Sequence, residues 1–251
     1  MKHSLIASLA VAAAITFGGA VMAAPVADYI AAAISDPARP ETQTARDAVR
    51  KPAEIMAFAG IKPGDKVGDF AMGSGYFTRL FSVAVGPTGK VYAYQPAEFI
   101  QYDAQYGKDL ETVSAAYENV SPLKNSLGAM AFPEPLDVIF TAQNYHDLFL
   151  GFMPEPAIDA LDKAFFDSLK PGGVLILIDH FAVDGTGVTK ANSLHRIDVA
   201  TVKSRMAKAG FVLEAEGEML RNPADPRTAS VFDGSIKGKT DQFVLRFRKP
   251  A

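Results

Sequence analysis

The stretch "VGDFAMGSGYFTRLF", Val67 to Phe81, decides the fold, because it joins a short apolar strand to an amphipathic helix through a glycine turn. In a parallel α/β sheet the ligand lies beyond the carboxyl ends of the strands. A turn of this kind places backbone N–H groups and a helix N-terminus beside that ligand. Asp69 ends the apolar run, and Gly73 and Gly75 lie two residues apart. The stretch therefore predicts a nucleotide-binding turn.

The spacing of these glycines distinguishes between two kinds of nucleotide turn. The dinucleotide motif G-x-G-x-x-G would require glycines at positions 71, 73 and 76, but Ala71 and Tyr76 occupy two of them. The methyltransferase motif, acid-x-G-x-G-x-G, matches Asp69, Gly73 and Gly75 and differs only at position 71. The turn fits a nicotinamide dehydrogenase poorly and a methyltransferase better. A plain strand-to-helix turn capped by Asp69 is the alternative.

The chemistry of the ligand also favours the methyltransferase turn. S-adenosylmethionine has no pyrophosphate, and its amino-acid part requires a turn that the backbone can approach closely. Gly73 and Gly75 permit that approach, and Asp69 can face the ammonium group. A carboxylate about 20 residues further on normally binds both ribose hydroxyls, but Gln95 ends the second strand. Its amide can bond one hydroxyl without the charge-assisted bidentate geometry, and Glu98, three residues further on, can substitute.

Strand and helix patterns alternate along the rest of the chain. The predicted strands are apolar on both faces, as a parallel sheet between two helix layers requires. They are KVGDFA, KVYAYQ, LDVIFTAQ and GGVLILIDH. FVLEAEGEML and DQFVLRFRK have no long helix between them, so they predict an antiparallel pair at one edge. The pattern predicts a doubly wound, mostly parallel α/β sheet of Rossmann-like type with an antiparallel edge strand.

The first 23 residues have the pattern of a secretory signal peptide. Lys2 precedes an apolar run, and the stretch from Val21 to Ala23 suits signal peptidase. The run is too short and too rich in Ala and Gly for a membrane span of roughly 20 residues, although an uncleaved anchor is the alternative. We therefore predict export to the periplasm without stable membrane insertion. We also predict an N-terminal arm over residues 24–45 and one domain over residues 46–251.

Composition excludes several classes of partner and site. The chain has 25 basic and 28 acidic residues, a formal net charge of −3 and no basic run. This balance argues against nucleic acid or an anionic membrane as the main partner. Cysteine is absent, so the chain forms no disulfide, thiolate nucleophile or zinc-thiolate site. We expect a small-molecule partner, and composition leaves the oligomeric state open.

Five segments together carry a resemblance to a known family. They are ARDAVRKPAEIMAFAGIKPGDKV, GSGYFTRLF, PLDVIFTAQNYHDL, LKPGGVLILIDH and LRNPADPRTASVFDGSIKGKTDQFVLRFRKP. Over nearly all of the predicted mature chain, the sequence resembles a bacterial family of predicted class I S-adenosylmethionine-dependent methyltransferases, often with signal peptides. The resemblance implies a seven-stranded sheet, S-adenosylmethionine as cofactor and methyl transfer to an unidentified small-molecule acceptor. It implies no established catalytic residues.

Three histidines follow predicted strands, which is where a site is expected: His146, His180 and His195. We assign to the catalytic and acceptor-binding set the residues Asn144, His146, Asp179 and His180. Either His146 or His180 would remove a proton from an acceptor, because a pKa of about 6.5 suits a base. Methyl transfer depends mainly on alignment, however, and can proceed without a base.

Two other interpretations of the polar residues stay open. Asp179, His180 and His195 offer carboxylate and imidazole ligands for a divalent metal. No tight spacing such as H-x-x-x-H supports such a site, so we predict no metal. Alternatively, these residues only cap strand ends and hydrogen-bond to loops.

The long segment Arg221 to Gln242 predicts either disorder or function, because connections of this length are uncommon inside a compact domain. Arg221, Asn222 and Arg227 can bind an anionic acceptor group, although solvated surface positions explain them as well.

The leading hypothesis is an exported methyltransferase whose cofactor site comprises Asp69, Ala71, Gly73, Gly75, Tyr76 and Gln95. The alternative is an exported protein of the same fold that binds another small ligand and catalyses nothing. Ala71 and Gln95 favour this alternative. It is also favoured because S-adenosylmethionine is made in the cytoplasm.

Overall fold

The computed structural model describes residues 26–151 and 155–251. The predicted signal peptide, residues 1–23, lies outside these residues, so export stays a prediction. The predicted N-terminal arm contains helix α1, Asp28–Ile34, whose Ile30 and Ala33 are buried. Within the described residues, no helix combines the length and the apolar character needed to cross a bilayer.

The described residues form a seven-stranded sheet in the order β3-β2-β1-β4-β5-β7-β6. Its strands are β1 Lys66–Phe70, β2 Lys90–Tyr94, β3 Val120–Leu123, β4 Leu136–Ala142, β5 Leu169–His180, β6 Val212–Gly217 and β7 Gln242–Arg248. Strands β1 to β5 pair in parallel, whereas β7 is antiparallel to both β5 and β6. The predicted α/β fold with a mostly parallel sheet and an antiparallel pair at one edge is confirmed.

Helices connect the strands and cover the sheet. After α1 they are α2 Glu41–Thr44, α3 Asp47–Arg50, α4 Pro52–Ala59, α5 Tyr76–Val85, α6 Ala97–Tyr102, α7 Gln105–Ala116, α8 Glu155–Ser168, α9 Ala191–Leu194 and α10 Val199–Ala209. Short 3₁₀ helices span Leu127–Ala129 and His146–Phe149. Residues of α1, α4, α5 and α7 belong to one core, and residues of α8 and α10 belong to the other.

Strand β5 shows why the strands are apolar on both faces. Val174, Ile176 and Ile178 belong to the core under α5, whereas Leu175 and Leu177 belong to the core under α8. Successive side chains of a strand point to opposite faces, so a strand buried on both faces reads as a continuous apolar run. The connections diverge between β1 and β4, which makes the carboxyl ends of these two strands the expected ligand position.

A buried ion pair holds the long segment before β7. The Arg196 side chain is fully buried, and its Nη1 and Nη2 donate to the Asp225 carboxylate at 2.8 and 3.1 Å. The same guanidinium donates to the backbone oxygens of Phe181 and Ala229 at 3.0 and 2.8 Å. Every charged atom therefore has a hydrogen-bond partner. The segment is consequently ordered against the sheet.

The proposed anion-binding residues of this segment are already paired. Asp241 accepts hydrogen bonds from Nε of Arg221 at 2.8 Å, from Nη2 of Arg227 at 2.8 Å and from the backbone N–H of Asn222 at 2.8 Å. Burial is the largest single effect and raises the pKa of Asp241, but these hydrogen bonds together outweigh it and keep the pKa below its ordinary value. The two arginines therefore stabilise the approach to β7, and their pairing speaks against the anion-binding interpretation.

Removal of the Arg196 guanidinium should lower the urea concentration at which the protein unfolds. Arg196→Ala leaves Asp225 buried without its counter-charge, which typically costs about 3 to 5 kcal/mol. The matched control is Lys163→Ala, because Lys163 pairs with Asp167 on the surface with both side chains more than half exposed and should cost less than about 1 kcal/mol. Urea unfolding followed by circular dichroism measures both, and equal costs would contradict the role given to Arg196.

Candidate functional site

Two cavities adjoin at the carboxyl edge of the sheet. The first, here the turn cavity, has a volume of about 320 Å³ and lies against the turn between β1 and α5. The second, here the edge cavity, has a volume of about 300 Å³ and lies towards β5 and β7. The residues that line both cavities are Arg46, Arg50, Phe77, Ala142 and Gln143. Two small molecules bound in them would therefore be neighbours.

The turn contains three residues in the left-handed region. Ala71, Gly73 and Gly75 have φ angles of 56°, 58° and 74°. An alanine in this conformation costs roughly 1 to 2 kcal/mol, whereas a glycine adopts it freely. Position 71 thus has the backbone conformation of a glycine even though the residue is alanine. The departure from the glycine motif changes the side chain and leaves the course of the turn intact.

The two glycines have different roles. A Cβ atom at Gly73 would meet no atom within 4 Å, and Gly73 lines the turn cavity. A Cβ atom at Gly75 would lie 2.4 Å from Cγ2 of Val113 and 2.9 Å from Cε of Met72. Gly73 therefore leaves space for a ligand, whereas Gly75 leaves space for helix α7.

Gln95 supports the turn from inside the protein. Its side chain is fully buried, and its Oε1 accepts a hydrogen bond from the backbone N–H of Gly73 at 3.0 Å. Its Nε2 has no hydrogen-bond partner among the described residues, and the residue does not line the turn cavity. The carboxylate of Glu98 is also engaged outside the turn cavity, because both of its oxygens accept a hydrogen bond from the N–H of Leu127. Neither residue lines the turn cavity, and the ribose contact predicted for them stays a prediction.

Asp69 is a buried carboxyl group at the cavity wall. Its Oδ2 accepts a hydrogen bond from the hydroxyl of Thr78 at 2.6 Å. Burial raises the pKa of Asp69 to about 7, against the opposing effects of the Thr78 bond and of the Arg50 charge. Its protonation state therefore changes near neutral pH and responds to any charge that enters the cavity.

Arg50 lies between the two cavities. Its guanidinium stacks over the rings of Tyr76 at 4.4 Å and Phe77 at 5.0 Å, and Nη2 lies 3.5 Å from Oε1 of Gln143. Among the residues that the structure describes, Arg50 makes no ion pair. Burial and the charge of Arg46 lower the pKa of Arg50 to about 10, so it is a cation at neutral pH. The Tyr76 hydroxyl donates to Asp47 at 2.5 Å, which fixes the ring beneath Arg50.

Asn144 and Gln143 complete the wall that follows β4. Asn144 lines the turn cavity, and its Nδ2 donates to the carbonyls of Ala71 at 2.9 Å and Ala142 at 2.7 Å. Gln143 has a φ of 64°, and its Nε2 donates to Oε1 of Gln242 at 2.9 Å. Asn144 therefore anchors the turn itself, as in the alternative that the polar residues hydrogen-bond to loops.

His146 and Asp179 form a buried pair behind the cavities. Nδ1 of His146 lies 2.7 Å from Oδ1 of Asp179, and the backbone N–H of His146 donates to Oδ2 at 2.8 Å. Burial alone would lower the pKa of His146, but the carboxylates of Asp179 and Asp147 outweigh it and raise the pKa to about 10. Neither residue lines the turn cavity or the edge cavity. The catalytic role predicted for His146 and Asp179 stays a prediction, and the structure places both residues outside the linings of the two cavities.

His180 does line the edge cavity, and its Nδ1 lies 2.8 Å from the hydroxyl of Thr240. Burial lowers the pKa of His180 to about 4, and the neighbouring charges of His146 and Arg196 act in the same direction. Neither ring therefore keeps a pKa near 6.5 in this structure, and a histidine base stays a prediction. His180 can orient a ligand as a neutral hydrogen-bonding group.

Sequence reasoning missed the cations of the edge cavity. Arg46, Arg50 and Lys237 line it, and the apolar side chains of Val49 and Phe232 are 56% and 62% exposed there. The sequence did indicate that Arg46 and Arg50 lie together, because they are four residues apart in a predicted helix that ends before Pro52. Their distance from the glycine turn in the chain concealed their position beside it.

No protein-family model matches the chain. Two curated relatives carry the same name, ubiquinone/menaquinone biosynthesis C-methyltransferase UbiE. The protein from Hydrogenovibrio crunogenus is 27% identical over 147 residues, which cover 57% of this chain and 53% of the relative. The protein from Ectopseudomonas mendocina is 30% identical over 125 residues, or 49% of this chain and 45% of the relative. The chain thus spans about half the length of these relatives.

Solved structures share the fold. A SAM-dependent methyltransferase from Aquifex aeolicus aligns with a TM-score of 0.54 and 20% identity over 81% of this chain and 97% of its own. At this identity the similarity establishes the fold alone. The sheet is that of the Rossmann-like methyltransferase fold, as the sequence predicts.

The two glycines should differ sharply on substitution. Gly73→Ala adds a methyl group to open space and should cost only the roughly 1 to 2 kcal/mol of a left-handed alanine. Gly75→Ala adds the same conformational cost and also forces Val113 and Met72 aside, which typically costs a further 1 to 3 kcal/mol, about the range for overpacking. Urea unfolding compares the pair directly. Equal stabilities would show that α7 does not pack against Gly75 as described.

Proposed function

We propose that the protein is an S-adenosylmethionine-dependent methyltransferase that acts on a small acceptor. The observation that carries the proposal is the pair of adjoining cavities, one at the glycine turn and one beside it, which meet at Arg50 and Gln143. A cofactor and an acceptor in these cavities would lie next to each other, and methyl transfer depends mainly on such alignment. The name C-methyltransferase of both curated relatives supports the same reaction class.

The residues of the turn cavity fit the charged groups of the cofactor. The carboxyl of Asp69 would face the ammonium group, and the guanidinium of Arg50, a cation without an ion-pair partner in the described part of the chain, would face the carboxylate. The open space over Gly73 leaves room for the amino-acid part. When bound, S-adenosylmethionine supplies an electrophilic methyl group.

Asp109, in place of Gln95, would bind the ribose hydroxyls of the cofactor. Besides Asp69, it is the one carboxylate among the described residues that line the turn cavity, and it lies on α7 beside Tyr106. A carboxylate can accept hydrogen bonds from both hydroxyls of a diol, which the buried amide of Gln95 cannot do. The missing acid after β2 is therefore replaced from a different element.

The acceptor is a small molecule with an apolar body and an anionic group. Three cations and no carboxylate occur among the described residues that line the edge cavity. Val49 and Phe232 offer apolar surface at its rim, and His180 offers a neutral ring nitrogen. Arg46 and Lys237 would attract the anionic group, and Arg50 would hold it close to the cofactor. No residue of this set is assigned as a base, so the proton that the acceptor loses on gaining the methyl group would pass to solvent, and the chain acts by orientation.

Calorimetric titration should detect S-adenosylmethionine and S-adenosylhomocysteine binding at pH 7.5. Asp109→Asn should weaken the affinity for both by about tenfold or more, because a charged hydrogen-bond acceptor is lost. The matched control is Glu111→Gln, because Glu111 lies on the same helix and pairs with Lys124 outside the cavity. Absence of heat with either ligand at millimolar concentration would refute the proposal. Binding without transfer to any anionic acceptor would favour the alternative of a ligand-binding protein.

The affinity for S-adenosylmethionine should rise with pH up to about 7 and then level off. Below its pKa of about 7, Asp69 is protonated and neutral, whereas the ammonium group of the cofactor favours the carboxylate. Binding therefore releases a proton below pH 7, and affinity falls by up to about tenfold for each pH unit lost. Titrations between about pH 5 and pH 8 measure this slope. Asp69→Asn should abolish it, and an unchanged slope in that variant would exclude Asp69 as its source.

A further inference from the structure

Three ligand atoms converge beside the cavities without facing either of them. Nε2 of His146 lies 3.0 Å from Oδ1 of Asp147, and Nδ1 of His195 lies 3.3 Å from each of these two atoms. Two residues come from the segment after β4, and the third ends helix α9. The chain thus brings two imidazoles and one carboxylate to a single point from separate parts of the sequence.

These three ligand atoms form a triangle, here the ligand triangle, with the dimensions of one face of a metal coordination sphere. Bonds of about 2.0 to 2.1 Å to nitrogen or oxygen at tetrahedral angles place neighbouring ligand atoms roughly 3.3 Å apart. Two of the three separations equal this value, and the third is 0.3 Å shorter. An ion above the ligand triangle would therefore require only small side-chain shifts. Its remaining position would be open.

We propose that His146, Asp147 and His195 bind one divalent first-row transition-metal ion. This site does not depend on the proposed methyl transfer. It departs from the prediction of no metal, and it also differs from the metal hypothesis drawn from the sequence, because Asp179 and His180 are not ligands. His180 directs its Nδ1 to Thr240, and both oxygens of Asp179 accept hydrogen bonds from the backbone and ring of His146.

Asp179 orients the histidine ligand. Its Oδ1 lies 2.7 Å from Nδ1 of His146 and also accepts the backbone N–H of His180 at 2.8 Å. The carboxylate is fully buried. A hydrogen bond at Nδ1 leaves Nε2 to face the other two ligands, which is the carboxylate–histidine arrangement that supports metal ligands in proteins. The negative charges around the ring stabilise either a proton or a metal cation at Nε2, and the ion replaces the proton.

The backbone places His195 where it can complete the site. His195 has a φ of 54°, which is uncommon for a residue other than glycine, and its ring packs at 4.8 Å against Phe232. The side chains of His195 and Asp147 are 25% and 21% exposed, so an ion can enter from solvent. In this conformation Nδ1 of His195 lies 3.3 Å from each of the other two ligand atoms.

The donor set indicates the class of metal. Two imidazoles and one carboxylate suit Zn²⁺, Fe²⁺ and related ions, whereas Ca²⁺ and Mg²⁺ prefer oxygen ligands. Three protein ligands with an open position are typical of sites that also bind water or a substrate. The bound ion would join the segment after β4 to the end of α9, and it would lie behind Phe232, which lines the edge cavity.

The experiment uses the purified protein after treatment with a chelator and dialysis. Titration with Co²⁺ should produce visible d–d absorption that saturates at one ion per chain, and Zn²⁺ should displace the Co²⁺. Zn²⁺ should also raise the melting temperature. Failure of both ions to bind at one equivalent, with protein and metal at about a hundred micromolar, would refute the site.

Variants identify the ligands. His195→Ala and Asp147→Asn should each abolish the stoichiometric Co²⁺ signal, and Asp179→Asn should weaken binding by about 10- to 100-fold, the usual loss for an outer partner of a ligand. His180→Gln is the matched control, because it removes a neighbouring histidine that does not face the ligand triangle. Circular dichroism checks that each variant is folded. If His195→Ala binds Co²⁺ as the unaltered protein does, the metal binds elsewhere and the proposal is wrong.

Discussion

The left-handed turn between β1 and α5 is the constraint on which the site depends. Three hydrogen bonds hold it in place: Asn144 donates to the carbonyl of Ala71, Gln95 accepts from the N–H of Gly73, and the carbonyl of Tyr94 accepts from the N–H of Met72. These partners follow β4 or end β2, so the turn takes its shape only within the assembled sheet. An alanine is tolerated at position 71 because its neighbours determine the backbone conformation.

The fold was predictable because strands that are buried on both faces appear in the sequence as uninterrupted apolar runs. In β5 the consecutive residues Leu175 and Ile176 enter different cores, so this part of the strand is apolar without interruption, unlike a strand with one solvent-exposed face. The antiparallel pairing of the last two strands was also predictable, because the sequence between them has no pattern of a long helix. Which of them lies at the edge was not, because the apolar pattern suits either order.

The site was predicted in position but only partly in function. Strand ends indicated where His146, His180 and Asn144 lie, and the glycine pattern indicated the turn. The direction of each side chain was not encoded locally. His146 pairs through its Nδ1 with Asp179, and Oε1 of Gln95 accepts a hydrogen bond from the backbone of Gly73. Such outcomes depend on hydrogen bonds between residues that are tens of positions apart.

Charge pairing separates structural cations from those available to a ligand. Arg196 and Arg227 have carboxylate partners that compensate their desolvation, so they stabilise the chain. Arg50 is partly buried against two aromatic rings and an amide, and it meets no carboxylate among the described residues. A cation in that position retains the capacity to pair with an anion, and desolvation by a bound ligand would strengthen the pair. The placement of Arg50 between two cavities therefore links the proposed cofactor and acceptor sites through one charge.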